Sequence, residues 1–201
     1  MTHRKFLVGF LVVGAAIGAG LGYQSLASSS STATSSIDVL RSASSARSGA
    51  LGEAGGAVPA GTTVFDDAVP GVAKLDPSLL AALRRAATDA SGDGVWFRVD
   101  SGWRSPAYQE RLLDEAVSKY GSKTEAARWV ATPETSPHVS GDAVDIGPTA
   151  AEAWLSAYGA GYGLCQIYGN EPWHYELRPD AVDHGCPPMY ADPTHDPRMQ
   201  Q

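Results

Sequence analysis

The sequence predicts an α+β domain, a small and mainly antiparallel β-sheet with helices packed on it. Two observations lead to this prediction. Helix signals dominate the first half of the globular region. In these signals a capping residue either precedes a proline or stands three positions before a glutamate. Short strand patterns dominate its second half, in DAVDIG, LCQIY and WHYEL. Separate runs of helices and strands are typical of α+β domains rather than of alternating α/β folds.

Two helices have strong start and stop signals. Asp76-Pro77 opens SLLAALRRAATDA, because an aspartate accepts free backbone N–H groups at a helix start and proline suits the first turn. Gly92 and Gly94 are predicted to end this helix. Ser105-Pro106 repeats the arrangement before AYQERLLDEAVSKY, and Gly121 ends that helix.

Two further helices are predicted from capping boxes, in which a serine or threonine stands three residues before a glutamate. Ser122 and Glu125 form one over TEAARWVA, and Thr149 and Glu152 form another over AAEAWLSAY. Between the helices, VWFRVDSG is rich in β-branched and aromatic residues and is predicted to be a strand.

The chain divides into four parts. Residues 1–27 begin with a short cationic head and an uncharged run over residues 6–23, which is typical of an export signal. The run also approaches the roughly 20 apolar residues of a membrane span, so a cleaved signal peptide and an uncleaved anchor both stay open. Residues 28–61 are rich in Ser, Ala and Gly and are predicted to be a flexible linker. We expect the globular domain over residues 62–190 and a tail over 191–201.

The overall charge excludes one class of partner. The formal net charge is −7 and the sequence pI is about 5.1, with no cluster of Lys and Arg. Nucleic-acid binding requires such a cluster to neutralise phosphates, so we expect no nucleic-acid partner. We expect a monomer located outside the cytoplasm, secreted or anchored to the outer face of the cytoplasmic membrane.

The chain has two cysteines, Cys165 and Cys186. An exported protein meets an oxidising compartment, where a lone pair of cysteines usually forms a disulfide. Neither cysteine stands in a Cys-x-x-Cys spacing, which argues against zinc ligation. The sequence therefore predicts a disulfide between them.

Three residues form a candidate metal site. SPHVSGDAVD places His138 seven positions before Asp145, with small residues between them. NEPWHYE adds His174. In a strand, the His174 side chain would point to the face opposite that of Trp173 and Tyr175. Two imidazoles and one carboxylate suit one Zn²⁺ and leave a fourth position for water.

A carboxylate near this set is a candidate proton carrier. Glu171 lies three residues before His174 and is followed by a proline, which favours an extended backbone there. A carboxylate so placed can take a proton from water and pass it to a leaving amine. Glu176 is the alternative, since it shares a strand face with His174, and it is otherwise predicted to support the metal ligand from behind.

These motifs resemble those of the zinc D-alanyl-D-alanine carboxypeptidases. Ser-x-His-x-x-Gly-x-Ala-x-Asp at residues 136–145 and Glu-x-Trp-His at 171–174 match the VanY-like family signature, and SGWRSPAYQ at 101–109 matches its upstream stretch. The resemblance covers roughly residues 70–188. It implies the fold that this family shares with the hedgehog signalling domain.

The resemblance also implies roles for individual residues. His138, Asp145 and His174 would bind zinc, and Glu171 would be the general base and acid. Arg104 would stabilise the oxyanion or bind the substrate carboxylate, for which a permanently charged guanidinium is suited. Ser136 and Gln109 would hydrogen-bond the substrate backbone.

The function that this resemblance implies is removal of the terminal D-Ala from peptidoglycan stem peptides ending in D-Ala-D-Ala. The alternatives within the fold are a peptidoglycan endopeptidase and an L,D-carboxypeptidase. An alternative from another class is a non-catalytic zinc- or peptide-binding domain. A binding domain would need neither Glu171 nor Arg104, so their presence favours an enzyme.

Overall fold

The computed structural model of the protein describes residues 51–200. The predicted signal peptide or anchor, and residues 28–50 of the predicted linker, lie outside this range. None of the helices in this range has the length and hydrophobicity that a membrane span requires.

The described residues form four strands and seven α-helices, together with short 3₁₀ turns. The strands are β1 (Arg98–Ser101), β2 (Ala143–Gly147), β3 (Leu164–Gln166) and β4 (His174–Leu177). The helices are α1 (Pro70–Ala73), α2 (Pro77–Gly92), α3 (Pro106–Tyr120), α4 (Lys123–Ala126), α5 (Pro137–Ser140), α6 (Thr149–Tyr158) and α7 (Ala181–His184).

The strands pair in the order β1-β2-β4-β3, and each neighbouring pair is antiparallel. The predicted α+β class with a small antiparallel sheet is therefore confirmed. The strands are shorter than their sequence patterns, and VWFRVDSG is a strand only over its second half, at Arg98–Ser101. Because β2 and β4 are central neighbours, their side chains are held side by side.

The helix starts follow the predicted signals at three positions. The Asp76 carboxylate accepts from the backbone N–H groups of Ser78 and Leu79, at 2.8 and 3.0 Å. Ser105 caps α3 and Ser122 caps α4 in the same way. The helix predicted over TEAARWVA is a single turn, Lys123–Ala126.

The predicted capping box at Thr149 is wrong. Thr149 is the first residue of α6, and the residue before it, Pro148, is the N-cap. The Pro148 carbonyl oxygen accepts from the backbone N–H groups of Ala151 and Glu152, at 2.7 and 3.2 Å. The helix thus starts one residue earlier than a threonine cap requires, and no side chain caps it.

The sheet separates a hydrophobic core from a polar face. Buried residues of α2 and α6 pack with Val144, Ile146 and Tyr175 from the two central strands. Because side chains alternate along a strand, the neighbouring residues Asp145 and His174 point away from this core. The domain therefore presents its polar strand residues on one face.

Segments on both sides of the predicted domain, residues 62–190, contact it in the structure. At the N-terminal end, the Gly55 carbonyl oxygen accepts from the Ser105 backbone N–H at 2.8 Å. A Cβ on Gly56, which has φ +107°, would lie 2.2 Å from the Trp103 carbonyl oxygen, so this part of the predicted linker packs tightly. At the C-terminal end, the predicted tail packs on the domain, where Asp192 and Asp196 are buried.

The predicted disulfide is confirmed. Cys165 in β3 is bonded to Cys186, with Cα atoms 5.6 Å apart. The bond joins the edge strand of the sheet to the chain just after α7.

Candidate active site

The three residues predicted to bind metal lie together in a buried cluster. One side-chain atom from each of His138, Asp145 and His174 lies within 4.8 Å of the others. All three residues are buried. Asp145 and His174 are directly opposite each other in the β2–β4 pairing, and α5 brings His138 beside them. The sheet register and one helical turn therefore assemble the cluster.

Each imidazole has one nitrogen that contacts an acceptor on the side away from the cluster. Nδ1 of His138 lies 2.8 Å from the Gly102 carbonyl oxygen and donates its hydrogen there, which leaves Nε2 facing Asp145 Oδ1 at 3.4 Å. His174 is turned the other way. Its Nε2 lies 3.3 Å from a Glu176 carboxylate oxygen, and its Nδ1 lies 3.3 Å from Asp145 Oδ1. The atoms that face one another in the cluster are thus His138 Nε2, Asp145 Oδ1 and His174 Nδ1.

The electrostatics of the cluster favour a bound cation. Burial opposes ionisation of Asp145, but His138, His174 and Arg104 hold the pKa of its carboxyl well below the usual range. Burial lowers the pKa of His138. Burial alone would lower that of His174 as well, yet hydrogen bonds to Asp145 and Glu176 raise its pKa to about 9. The ionised carboxylates therefore attract positive charge to this point.

The donor set fits zinc. Two imidazole nitrogens and a carboxylate oxygen converge, and each histidine has its other nitrogen held by an acceptor, as in protein zinc sites. Three protein ligands leave room for a fourth, which is the arrangement of catalytic rather than structural zinc sites.

Glu171 and Glu176 lie on opposite sides of His174. Glu171 Oε2 lies 3.8 Å from Nδ1, the nitrogen that faces the cluster, whereas Glu176 contacts Nε2. Burial raises the pKa of Glu171 to about 7. Burial opposes the ionisation of Glu176, but His174 and Arg198 hold its pKa well below the usual range. A carboxylate with a pKa near neutrality can both accept and release a proton, which suits Glu171 better than Glu176.

Arg104 is fixed beside the cluster by three acceptors. Its nitrogens donate to Ser101 Oγ at 2.8 Å, to Gln109 Oε1 at 3.1 Å and to Asp145 Oδ2 at 2.8 Å. A guanidinium has five N–H groups, so two remain for an anion. Arg104 also lines the cleft that leads to the cluster.

The two other predicted substrate contacts also reach the cleft. Ser136 and Gln109 are both buried and line it. The Gln109 amide is occupied by protein groups, because its Nε2 donates to the Ala131 carbonyl oxygen at 2.8 Å while its Oε1 accepts from Arg104. In this structure Gln109 therefore orients Arg104, and a direct contact with substrate stays a prediction.

The cleft has a volume of about 280 Å³ and combines one polar end with apolar walls. The polar end is the cluster with Glu171 and Arg104. The walls are formed by Leu112, Tyr120, Trp129, Val130, Pro137, Tyr168, Trp173, Pro193 and Met199. This volume is at the small end of ligand pockets, which suits the end of a peptide better than a large ligand.

Sequence reasoning missed the residues behind His174. Arg198 donates to Glu176 and to Asp196, and the Tyr168 hydroxyl donates to Asp196. Arg198 and Asp196 lie in the predicted tail. A signal was available, because Asp192-Pro193 and Asp196-Pro197 each pair a capping residue with a proline. Each of these pairs opens a 3₁₀ turn.

Comparison with known proteins identifies the family. The sequence model of the D-alanyl-D-alanine carboxypeptidase family VanY matches residues 72–180. This match covers more than half of the 201 residues, so the chain belongs to this family. The predicted resemblance is confirmed.

Individual relatives agree with the family match. A D-alanyl-D-alanine carboxypeptidase of Enterococcus faecalis (strain ATCC 700802 / V583) is 34% identical, over 43% of this chain and 41% of that protein. The chain therefore spans about two fifths of the length of this relative. Among solved structures, VanYB in complex with D-alanine-D-alanine is 29% identical, with a TM-score of 0.51 over 55% of this chain and 74% of that one. The LdcB LD-carboxypeptidase has the same fold, at 22% identity and a TM-score of 0.51 over 63% and 70% of the two chains.

Proposed function

We propose that this chain is a zinc-dependent D,D-carboxypeptidase that removes the terminal D-Ala from peptidoglycan stem peptides. One observation carries the proposal: the buried cluster of His138, Asp145 and His174 lies at the end of a cleft, with Glu171 beside it. Family membership and the similarity to VanYB, whose structure contains D-alanine-D-alanine, support the substrate class.

Zinc would be held by His138 Nε2, Asp145 Oδ1 and His174 Nδ1. Bound there, it would supply Lewis acidity, which polarises the scissile carbonyl and lowers the pKa of a water molecule. The chain's own contribution is orientation, because Gly102 and Glu176 fix the two imidazoles from behind.

Glu171 would move the proton. It lies on the cluster side of His174, and its raised pKa of about 7 makes it a base that can also act as an acid. In hydrolysis it would accept a proton from the attacking water and deliver it to the amine nitrogen of the departing D-Ala. The C–N bond breaks as that nitrogen is protonated, and the enzyme returns to its starting state.

Arg104 would bind negative charge on the substrate. Two of its N–H groups remain after its contacts with Ser101, Gln109 and Asp145. A peptide that ends in the cleft brings a terminal carboxylate, and an oxyanion forms on its scissile carbonyl during attack. Arg104 is suited to either anion. Ser136, at the cleft wall, would hydrogen-bond the peptide backbone.

The location outside the cytoplasm belongs to the same proposal. Stem peptides of the cell wall are reached there, and residues 1–27 have the pattern of a signal peptide or anchor. Fractionation of cells that express the chain into medium and membranes would show whether the protein is released or membrane-bound.

The test is product analysis with the full chain. We expect mass spectrometry to show that a stem pentapeptide ending in D-Ala-D-Ala is converted to the tetrapeptide with release of one D-Ala. A matched pentapeptide ending in D-Ala-L-Ala should stay intact. A chelator should abolish cleavage and added zinc should restore it.

Other outcomes separate the alternatives. Release of D-Ala from a tetrapeptide but not from the pentapeptide would make the protein an L,D-carboxypeptidase. Cleavage only of cross-linked dimers would make it an endopeptidase. Zinc binding without cleavage of any of these substrates would leave the non-catalytic binding domain and would overturn the proposal.

A further inference from the structure

A buried acid behind the metal cluster is held by arginines. Glu176 is 1% exposed, and its Oε2 accepts from Arg178 at 2.6 Å and from Arg198 at 2.7 Å. A second nitrogen of Arg198 donates to Oε1 at 3.1 Å. Arg198 therefore contacts both oxygens of the carboxylate. Such a two-point contact fixes the plane of a carboxylate as well as its charge.

Arg198 is itself fixed by the C-terminal segment, residues 192–200. Its Nε donates to both carboxylate oxygens of Asp196, at 3.1 and 3.0 Å, and Asp196 is completely buried. Asp196 also accepts from the Tyr168 hydroxyl at 3.0 Å. At the other end of the segment, Asp192 accepts from Arg128 Nε at 3.0 Å. The segment is thus bonded to the domain at two separate places.

The contacts of Arg198 lead directly to a metal ligand. Glu176 Oε1, which accepts from Arg198, also lies 3.3 Å from His174 Nε2. This contact determines which nitrogen of His174 faces His138 and Asp145, because the ring can present only one nitrogen forward when the other is held. The orientation of His174 therefore depends on the plane of the Glu176 carboxylate.

We propose that the C-terminal segment is a working part of the metal site, in which Arg198 is a positioning residue that acts on His174 through Glu176. The segment lies outside the region 72–180 that matches the family. Two of its residues, Pro193 and Met199, also form part of the cleft wall, so the segment borders the site from two directions. The inference rests on the proposed metal site but not on the proposed substrate.

The test measures zinc affinity of the full chain without substrate, by competition with a chromophoric chelator. Arg198→Ala is expected to weaken zinc binding about 10- to 100-fold, the usual effect of removing a group behind a metal ligand. Arg198→Lys keeps the charge but not the two-point contact, so we expect an intermediate loss. Arg111→Ala is the matched control, since Arg111 has similar exposure, 39% against 41%, and pairs with Glu115 alone among the acidic groups of residues 51–200. It should bind zinc like the wild type.

A second variant tests the same link with little change in shape. Glu176→Gln should weaken zinc binding by a similar factor, and the double variant Arg198→Ala/Glu176→Gln should lose little more than either single variant. With zinc bound, nitrogen-15 shifts of the His174 ring should report the hydrogen on Nε2 in the wild type and a mixture of tautomers in both single variants.

The outcomes are decisive in either direction. Zinc affinity of a folded Arg198→Ala chain within twofold of the wild type would overturn the proposal. If Arg198→Ala does not fold, unchanged affinity and an unchanged His174 tautomer in Glu176→Gln would overturn it instead. A wild type that binds zinc but cleaves no stem peptide would overturn the proposed function and leave this inference standing.

Discussion

At the scale of single residues, the site depends on what lies behind each reactive atom. His138 and His174 use different ring nitrogens toward Asp145, because a backbone carbonyl oxygen holds one ring and a carboxylate holds the other. Two glutamates five positions apart have opposite surroundings for a similar reason. Among the described residues, Glu176 forms ion pairs with Arg178 and Arg198, whereas Glu171 forms none with an arginine, so burial dominates the pKa of Glu171.

The first prediction at this scale concerns the metal ligands. His138→Ala, Asp145→Ala and His174→Ala should each reduce bound zinc from about one per chain to nearly none, because two remaining ligands hold zinc poorly. Elemental analysis of the purified chains measures this. His184→Ala is the control, since His184 is exposed on α7 and lies away from the cluster. A variant that keeps full zinc would remove its residue from the ligand set.

The second prediction separates the two glutamates. Glu171→Gln should keep zinc and fold while lowering kcat at least about 10²-fold, because glutamine keeps the shape of the side chain but cannot accept a proton. Glu176→Gln should weaken zinc binding and lose far less activity once zinc is saturating. Both variants are compared on one peptide ending in D-Ala-D-Ala, with zinc content measured alongside. The assignment fails if Glu176→Gln is inactive while Glu171→Gln remains near wild type.

At the scale of elements, short segments are held by backbone contacts rather than by their own length. The helix α5, which carries His138, has only four residues, and Gly141 ends it with φ +87°. The Gly141 carbonyl oxygen accepts from the Asp76 backbone N–H at 2.9 Å. A Cβ at Gly141 would lie 2.6 Å from the Lys74 carbonyl oxygen. The glycine thus lets the histidine-bearing turn lie directly against the start of α2.

A matched pair of glycine variants tests this. Gly121 also has a positive φ, +82°, but a Cβ there would meet no atom within 4 Å. Gly121→Ala should therefore cost only the backbone strain, about 1–2 kcal/mol. Gly141→Ala should lower the free energy of unfolding by about 1–3 kcal/mol more, because the neighbouring backbone must move. Urea denaturation of both variants gives the difference, and equal losses would contradict the tight packing at Gly141.

At the scale of the whole molecule, the segments at the two ends of the domain pack against the residues around the site. Residues 51–61 pack against the chain around Trp103 and Arg104, and residues 191–200 reach Glu176. The disulfide between Cys165 and Cys186 closes a loop that contains both Glu171 and His174. The stretch of chain that carries Glu171 and His174 is therefore held by a covalent link between Cys165 and Cys186 and by the ion pairs of Glu176 with Arg178 and Arg198.

The disulfide should contribute measurably to stability. Its residues are 21 positions apart, and closing a loop of that size is worth about 3 kcal/mol in the chain-entropy model. Reduction of the wild type, or the double variant Cys165→Ser/Cys186→Ser, should lower Tm by several degrees. Reducing agent should not change the Tm of the double variant, which makes it the control. Peptide mapping under non-reducing conditions that finds both thiols free would contradict the prediction.

The fold class, the metal cluster and the disulfide could all be predicted from the amino-acid sequence. Capping residues, prolines and strand alternation are local features, so they can be recognised in the sequence. His138, Asp145 and His174 stand in motifs whose spacing matches the family. Tertiary structure alone decided the roles that depend on neighbours distant in the chain. Which nitrogen of each histidine faces the cluster depends on Gly102 and Glu176, and the use of Arg198 depends on a segment that the sequence assigned to a tail. Those contacts join residues from separate elements, so no local sequence pattern predicts which buried charged groups will contact each other.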